Sequence, residues 1–514
     1  MDHIMKNGSL PFLLTGVLLV AAADGHAQYN TEWISLFDGL TGYHSAEDLV
    51  LLPSGDLVTS GVFVPTTTTE FFVTAFDGTG APLWTNGLPD SIGRAWKIFE
   101  LNDGSVLALG DYENQTGTND VLVQRFTASG TQTGEIVLNS AGTNTGDDFG
   151  DATMDADGEV YLTGTFSANG LTRPGLARLT ASGDLAWWVT HPLPTNWNGF
   201  GIGLAVEAIG DSVVVMWTRN GTSYSAAVGY SSAGVHLWTT DLEVTSTDNN
   251  NAMTTDGLGH VLVGGGRNQQ FNVTKLDAAG GILWSTDFGF PGLSSASGRV
   301  RHVRCDAQGD VYAIGEGPYQ ASIPGPYLLA AKLSSAGNVL WTDTLTGGNV
   351  NYCLNMDHAL LHDDRWTIAS AYIGSYLYEY DTTGTRLFRQ PWNVPGAQSS
   401  KVNAMVMGND GALYLAGRAQ LTGQAGDGFV AKLTPLSTAM AEAEAPRGLL
   451  YPVPATDRLY LPNGLQAGAV VTVMDLNGRT LLTTQDHNSI DVAGLTAGSY
   501  ILQAGGLRWR FVKE

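Results

Sequence analysis

A glycine four residues ahead of a tryptophan recurs through this chain: Gly80/Trp84, Gly183/Trp187, Gly234/Trp238, Gly280/Trp284 and Gly337/Trp341. A sixth copy, YEYDTTGTRLF, sets Phe388 four after Gly384, and the copy VLVQRFTASGTQTGEIVL keeps the turn but has lost the aromatic. The stretches LNDGSVLALG (101–110), DADGEVYLTG (155–164), DAQGDVYAIG (306–315) and GNDGALYLAG (408–417) supply a second half-unit. Each is a glycine-bearing turn followed by an alternating strand. Both turn types need a residue with positive φ, which glycine adopts without steric cost. Each unit therefore holds four strands, two joined by each turn.

The first turns centre on Gly55, Gly104, Gly158, Gly210, Gly259, Gly309, Asp364 and Gly411, stepping by 47 to 55 residues. Four-stranded units of this length suit the blades of a β-propeller, whereas separate sandwiches need about 100 residues each. No segment has helical periodicity, which excludes helical solenoids. The expected fold is all-β: an eight-bladed β-propeller, with seven blades as the alternative.

The eighth unit, 400–435, stops at its second turn with no Trp strand after it. TEWISLFDGL (31–40), near the start of the chain, has such a strand with Trp33 and no unit before it. The fragment fits the vacancy. A propeller closed by an N-terminal strand has no exposed sheet edge at its ends.

Charge narrows the partners. Lys plus Arg number 25 against 49 Asp plus Glu, so the net charge is 25 − 49 = −24, and charged residues make up only 14%. An acidic surface repels phosphate backbones, so nucleic acid is excluded as a partner. MKNGSLPFLLTGVLLVAAADGHA begins at Met5 with a lysine, continues apolar and ends in small residues. It reads as a signal peptide, residues 1–27, too short in its apolar run to span a bilayer. No other segment is long and apolar enough, so the mature chain is expected to have no transmembrane segment. The two cysteines, Cys305 and Cys353, fall at different places in consecutive repeats and read as two thiols rather than a bridge.

The KLxxxGxxLW hairpin resembles the Trp-docking hairpin of quinoprotein-type propellers and of secreted bacterial β-propeller repeat proteins. Quinoproteins commonly carry adjacent cysteines, absent here, so no quinone is expected.

After residue 435 the texture changes. LSTAMAEAEAPRG (436–448) reads as a linker. Beyond it, LLYPVPATDRLYL, VVTVMDLNGRTLL, IDVAGLTAGSYILQA and WRFVKE alternate as strands of a small Ig-like β-sandwich. These stretches closely resemble the type A C-terminal sorting domain of the type IX secretion system of Bacteroidota. The matching residues are Tyr451, Pro452, Pro454, Ala455, Asp475, Gly478, Arg479, Leu495, Gly498, Tyr500 and the tail Phe511-Val512-Lys513, with Val453 where Asn is usual. The resemblance implies export by the type IX machinery, followed by release or attachment at the outer-membrane surface. The expected domains are thus 1–27, 28–435, 436–448 and 449–514.

Catalytic signatures are scarce. No Gly-x-Ser-x-Gly elbow occurs, and the pair Asp147–Asp148 lies in glycine-rich turn text with no reason to titrate abnormally. TMDADGE sets Asp155 and Asp157 at the spacing of half a calcium loop, but the expected twelfth ligand is Gly164. His358 and His362, flanked by aspartates, share a strand face and form the other weak metal candidate. Trp96, Trp188, Trp197, Trp217, Trp366 and Trp392 fall outside the repeat, and HPLPTNWNGF (191–200) is a candidate glycan platform. No cofactor is predicted beyond a weak chance of calcium. The reading is a secreted or surface-attached, non-catalytic propeller that binds or scaffolds a surface glycan or protein. The alternative is a secreted polysaccharide hydrolase or lyase, which would need a carboxylate pair beside an exposed Trp.

Overall fold

The computed structural model describes residues 29–37, 43–64, 70–87, 92–113, 117–139, 146–168, 171–191, 201–219, 225–244, 252–268, 270–289, 298–317, 327–345, 359–362, 365–370, 376–422, 426–436, 454–460, 470–475, 479–484, 489–504 and 507–514. The expected leader and residues 437–448 of the expected linker lie outside these. The chain divides into two compact units, 1–436 and 437–514. The described residues form an all-β protein without helices, so no helix is long and apolar enough to cross a membrane.

Within the first unit, the described residues make eight four-stranded antiparallel sheets. In chain order, seven span 43–87, 93–138, 148–190, 201–241, 253–288, 299–345 and 359–391; the eighth combines 397–435 with 29–37. Seven sheets follow chain order from first strand to fourth, each strand beside the next. In the eighth, the N-terminal strand Tyr29–Phe37 takes the fourth place and pairs antiparallel with Asp427–Pro435, from Tyr29↔Pro435 to Phe37↔Gly428. The strand that Trp33 marks in the sequence therefore fills the position left open at the other end of the unit.

Local chemistry sets each turn. Gly80, Gly130, Gly183, Gly234, Gly280, Gly337 and Gly384 all have positive φ between 77° and 87°. Each closes a turn between third and fourth strands, with a register shift just beyond it, as between Ala75 and Phe76. Asp, Ser or Thr opens these turns: the Asp77 carboxylate accepts from the amides of Thr79 and Ala81 at 2.9 and 3.0 Å. Such a side chain replaces the backbone partners that the turn removes.

Packing joins consecutive sheets chiefly through their first strands, and the eighth sheet packs on the first. There Ala404, Tyr414 and Val430 share a core with Ala46, Leu57 and Phe76. Six first strands carry a one-residue bulge at the same point, at Glu47, Trp96, Gly150, Leu204, Arg301 and Asn403. A bulge turns one side chain out of the ladder at a fixed height. Asn403 uses this to donate to Ser45 Oγ at 3.0 Å and the Ala46 carbonyl at 2.7 Å, across the join between the last sheet and the first.

The second unit has a two-stranded sheet (Arg458–Tyr460 with Ser489–Asp491) and a four-stranded sheet of Thr480–Thr484, Val471–Met474, Gly498–Ala504 and Leu507–Lys513. Both contribute to one core, with Leu459 and Ile490 from the first and Val471, Val473, Leu502 and Phe511 from the second.

Candidate functional site

The repeated tryptophans form a serial dock. Trp33, Trp84, Trp187, Trp238 and Trp284 each donate their indole N–H to the next sheet's second turn, at the carbonyls of Gly78, Ala128, Ser232, Ala278 and Ser335, over 2.9–3.1 Å. The ring then covers the glycine of that turn. A Cβ on Gly80 would lie 2.6 Å from Trp33, and one on Gly337 2.6 Å from Trp284. Two residues after the Trp, a short polar side chain often adds a second bond, as from Thr240 to the Gly280 carbonyl at 2.7 Å and from Thr286 to that of Gly337 at 2.8 Å. Trp341 covers Gly384 in the same way, although its buried N–H has no partner among the described residues.

The Lys of the KL pair is a clasp within its own sheet. Lys275 lies 2.8 Å from Asp256, Lys332 3.0 Å from Asp310 and Lys432 3.6 Å from Asp410. Each carboxylate belongs to the first turn, so the cation ties the third strand to the turn joining the first two. Burial alone would raise the Asp256 carboxyl, but hydrogen bonds from Lys275 and His260 outweigh it and hold the group at about 2.

Strand order sends both turns of the first seven sheets, and the single turn of the eighth, to one end. No connection there exceeds five residues. The opposite end carries 139–147, 191–200, 242–252, 289–298, 318–326 and 346–358, of nine to thirteen residues. Long connections on a rigid scaffold are where binding groups gather, so this end is the candidate binding face. Charged groups stand there too: Arg299 and Arg301 both reach Glu316 Oε1, at 3.0 Å for Arg299, and Arg418 lies over the Tyr43 ring at 4.8 Å.

One group on this face crosses a join between sheets. Arg94 and Asp111 stand opposite each other in the second sheet. Yet the Asp111 carboxylate takes the Trp96 indole N–H at 2.9 Å, and Arg94 lies over the Trp96 ring at 4.4 Å. From the third sheet, Asp148 accepts from Asn119 Nδ2 of the second at 2.9 Å. Burial raises the Asp111 carboxyl to about 6; the Trp96 N–H opposes this, the Asp148 charge adds to it, and Arg94 opposes it. Arg94 and Asp111 carry no motif, and only their register brings them together.

The weak metal candidates do not converge. Asp155 Oδ1 accepts from the amides of Asp157 and Glu159, at 3.0 and 2.9 Å, and so caps its own turn. Asp157 is exposed. His358 lies outside the described residues, and His362 Nε2 is 2.9 Å from Thr367 Oγ1. Among the described residues, no three His, Cys, Asp or Glu side chains form a group that could hold a metal ion. Cys305 is a free thiol that burial pushes up to about 12, with Asp256 and Asp306 adding to the effect. Cys353 and Trp197 lie outside the described residues. Trp217, Trp366 and Trp392 are buried core residues and offer no face for stacking; Trp96 and Trp188 are half-buried. His191, at the head of the candidate glycan segment, is buried instead, with Nδ1 2.5 Å from Tyr230 Oη beside a small cavity lined by Pro174, Val215 and Trp217.

In the second unit, the motif residues serve the fold. The Ala455 amide donates to the Val512 carbonyl at 2.7 Å, and Ala455 bridges Lys513. Asp475 Oδ1 accepts from the Arg479 amide at 2.9 Å, closing the turn, and the two side chains pair at 3.3 Å. Tyr500 donates to the Thr496 carbonyl at 2.7 Å and stacks on Phe511, and Leu495 packs on the core. Pro454 is exposed and Gly498 opens its strand. Tyr451, Pro452 and Gly478 lie outside the described residues.

Comparison with known proteins matches this division. Residues 449–507 match the secretion system C-terminal sorting domain, and residues 156–185 match a β-propeller domain of unknown function, DUF5122. The chain thus combines propeller repeats with a type IX sorting domain, as its residues suggest. No curated protein matches it. Among solved structures it is similar to Sqt1 from Chaetomium thermophilum, with 12% identity, TM-score 0.48 and coverage of 79% of this chain and 99% of that one. The polysaccharide lyase Uly1 gives 10%, 0.39, 65% and 88%. Prolyl oligopeptidase B from Galerina marginata gives 10%, 0.41, 76% and 56%. All three TM-scores lie below 0.5, too low to carry an activity or ligand to this chain.

Proposed function

We propose that the chain is a non-catalytic binding or scaffolding propeller, exported by its sorting domain and released or held at the outer-membrane surface. In this reading the eight sheets are blades of one eight-bladed ring, and the N-terminal strand closes it. The observation that carries the reading is the segregation of every connection longer than five residues to one end. Such an arrangement presents variable loops over a rigid base. The test has two arms. Deleting 449–514 should abolish extracellular display, and unchanged display would sink the sorting role. The secreted chain, screened on glycan and protein arrays, should retain a ligand; an empty screen would sink the binding role.

A second reading rests on Asp111 and Asp148. A polysaccharide-acting enzyme needs an acid beside an ionised carboxylate and an aromatic surface, and Trp96 supplies the last. Release of new reducing ends from a polysaccharide, abolished in Asp111→Asn, would establish it.

A further inference from the structure

We infer that the join between the second and third sheets, at the long-connection end, binds a carboxylated sugar through Arg94, Trp96, Asp111, Asn119 and Asp148. The inference rests on the binding reading above and gives it a site and a ligand class.

Two independent observations meet at this join. First, it lacks the dock found at six others: the residue four after Gly130 is Gly134, and the third sheet's turn glycine, Gly183, faces Leu101, Leu107 and Arg125 instead of an indole. Polar contacts span the join at both ends, the first of them at the turn end where the dock is missing and the other two at the long-connection end. Asn102 donates to the Asp157 carbonyl at 3.2 Å, the Asp147 amide to the Asn119 carbonyl at 2.6 Å, and Asn119 to Asp148 at 2.9 Å.

Second, its cation stands over an aromatic ring. Arg94 faces a carboxylate across the strand pair, yet among the described residues it forms no ion pair. The guanidinium lies over the Trp96 ring, and the Trp96 N–H bonds the Asp111 carboxylate. A guanidinium stacked on an aromatic ring keeps its in-plane N–H groups for a planar, bidentate partner. A ligand carboxylate has that shape.

Asp148 is exposed and Asn119 half-exposed, so they can take sugar hydroxyls beside the anion. Two aspartates here disfavour phosphate or sulfate, which carry denser charge. A single carboxylate meets less repulsion, and protonation of Asp111 removes part of it. The charged groups facing Asp111 are Arg94 on its own sheet and Asp148 on the next. Affinity should therefore rise as pH falls through about 6, while a uronate remains ionised.

Calorimetry of the secreted full chain with tetragalacturonate, and with neutral maltotetraose, tests the site. Expected are binding of the uronate over the neutral sugar, loss of roughly tenfold in Arg94→Gln, and tighter binding at pH 5 than at pH 7. Asp148→Asn should bind the uronate more tightly than wild type, a gain that misfolding cannot imitate. Absence of uronate binding, or affinity unchanged in both variants, would overturn the site. If an array ligand of the wild type is kept equally by both variants, the site falls and the binding reading stands.

Discussion

Two kinds of join hold the propeller unit together. Between the fifth and sixth sheets, Trp284 covers Gly337 and bonds the turn beneath it. Between the second and third, Gly183 has no indole above it; Asn102 bonds a neighbouring turn at that end, and Asn119 bonds Asp148 at the opposite end. The first kind is self-sufficient: an apolar ring and one hydrogen bond fix the neighbour's turn with little exposed polarity. The second leaves polar groups at the surface with bonding capacity in hand. In the proposed reading, stability and recognition fall to different joins of one repeated scaffold.

The comparison breaks most completely at the N-terminal strand, which is held from both sides. Trp33 docks on the first sheet, while the Tyr29 amide donates to Gln390 Oε1 at 2.9 Å and Gln390 Nε2 returns a bond at 2.6 Å. Deleting 29–37 removes a whole strand and both docks. The expected loss is comparable with the entire stability of a domain, about 5–15 kcal/mol. Urea unfolding should show an early separate transition, and a single transition at unchanged midpoint would contradict the proposed closure.

A glycine pair sharpens the point. Gly104 and Gly337 both have positive φ, but a Cβ on Gly104 meets nothing within 4 Å, whereas one on Gly337 meets Trp284 at 2.6 Å. Ala at either site carries the backbone strain, of about 1–2 kcal/mol. Gly337→Ala should cost roughly 2 kcal/mol more, from overpacking. Equal midpoints for the two variants would show that the dock contributes nothing.

Smaller effects come with pH. Burial lowers His44 to about 4, and burial, with His236 and Arg173 adding, does the same to His191. A lowered folded pKa means that the unfolded chain binds the proton first. Stability is full above the unfolded value near 6.5 and falls between there and about 4, by up to about 1.4 kcal/mol per pH unit for each group. The effect should show as a falling melting temperature between pH 6.5 and 4. His191→Gln should flatten part of that slope; a slope unchanged in it would remove His191 from the account.

Much of the fold is legible in the sequence because the repeat is chemically strict. Gly at the turn and Trp four residues on are each required by a contact: a positive φ, and a ring that must lie on a surface without a Cβ. The first turns, at Gly55, Gly158 and Gly309, are as plain for the same reason. What the sequence conceals is pairing across strands. Arg94 and Asp111 are 17 residues apart in the chain and meet only through register. Asp148 reads as turn text because its abnormal neighbour comes from another sheet. The buried His191 shows the reverse error. Next to Pro and Trp it resembles an exposed platform, but the third and fourth sheets enclose it.

The pairing of Tyr29–Phe37 with Asp427–Pro435 sets a timetable as well as a shape. The partners lie at opposite ends of the unit, so this is the contact with the greatest loop-closure cost and the latest to become possible. A chain emerging N-terminus first presents its fourth-place strand at once and must hold it unpaired until residue 435 arrives. Folding of the unit is therefore gated by delivery of its last strand, immediately ahead of the sorting domain. Pairing of the two strands therefore reports that every residue between them has been made.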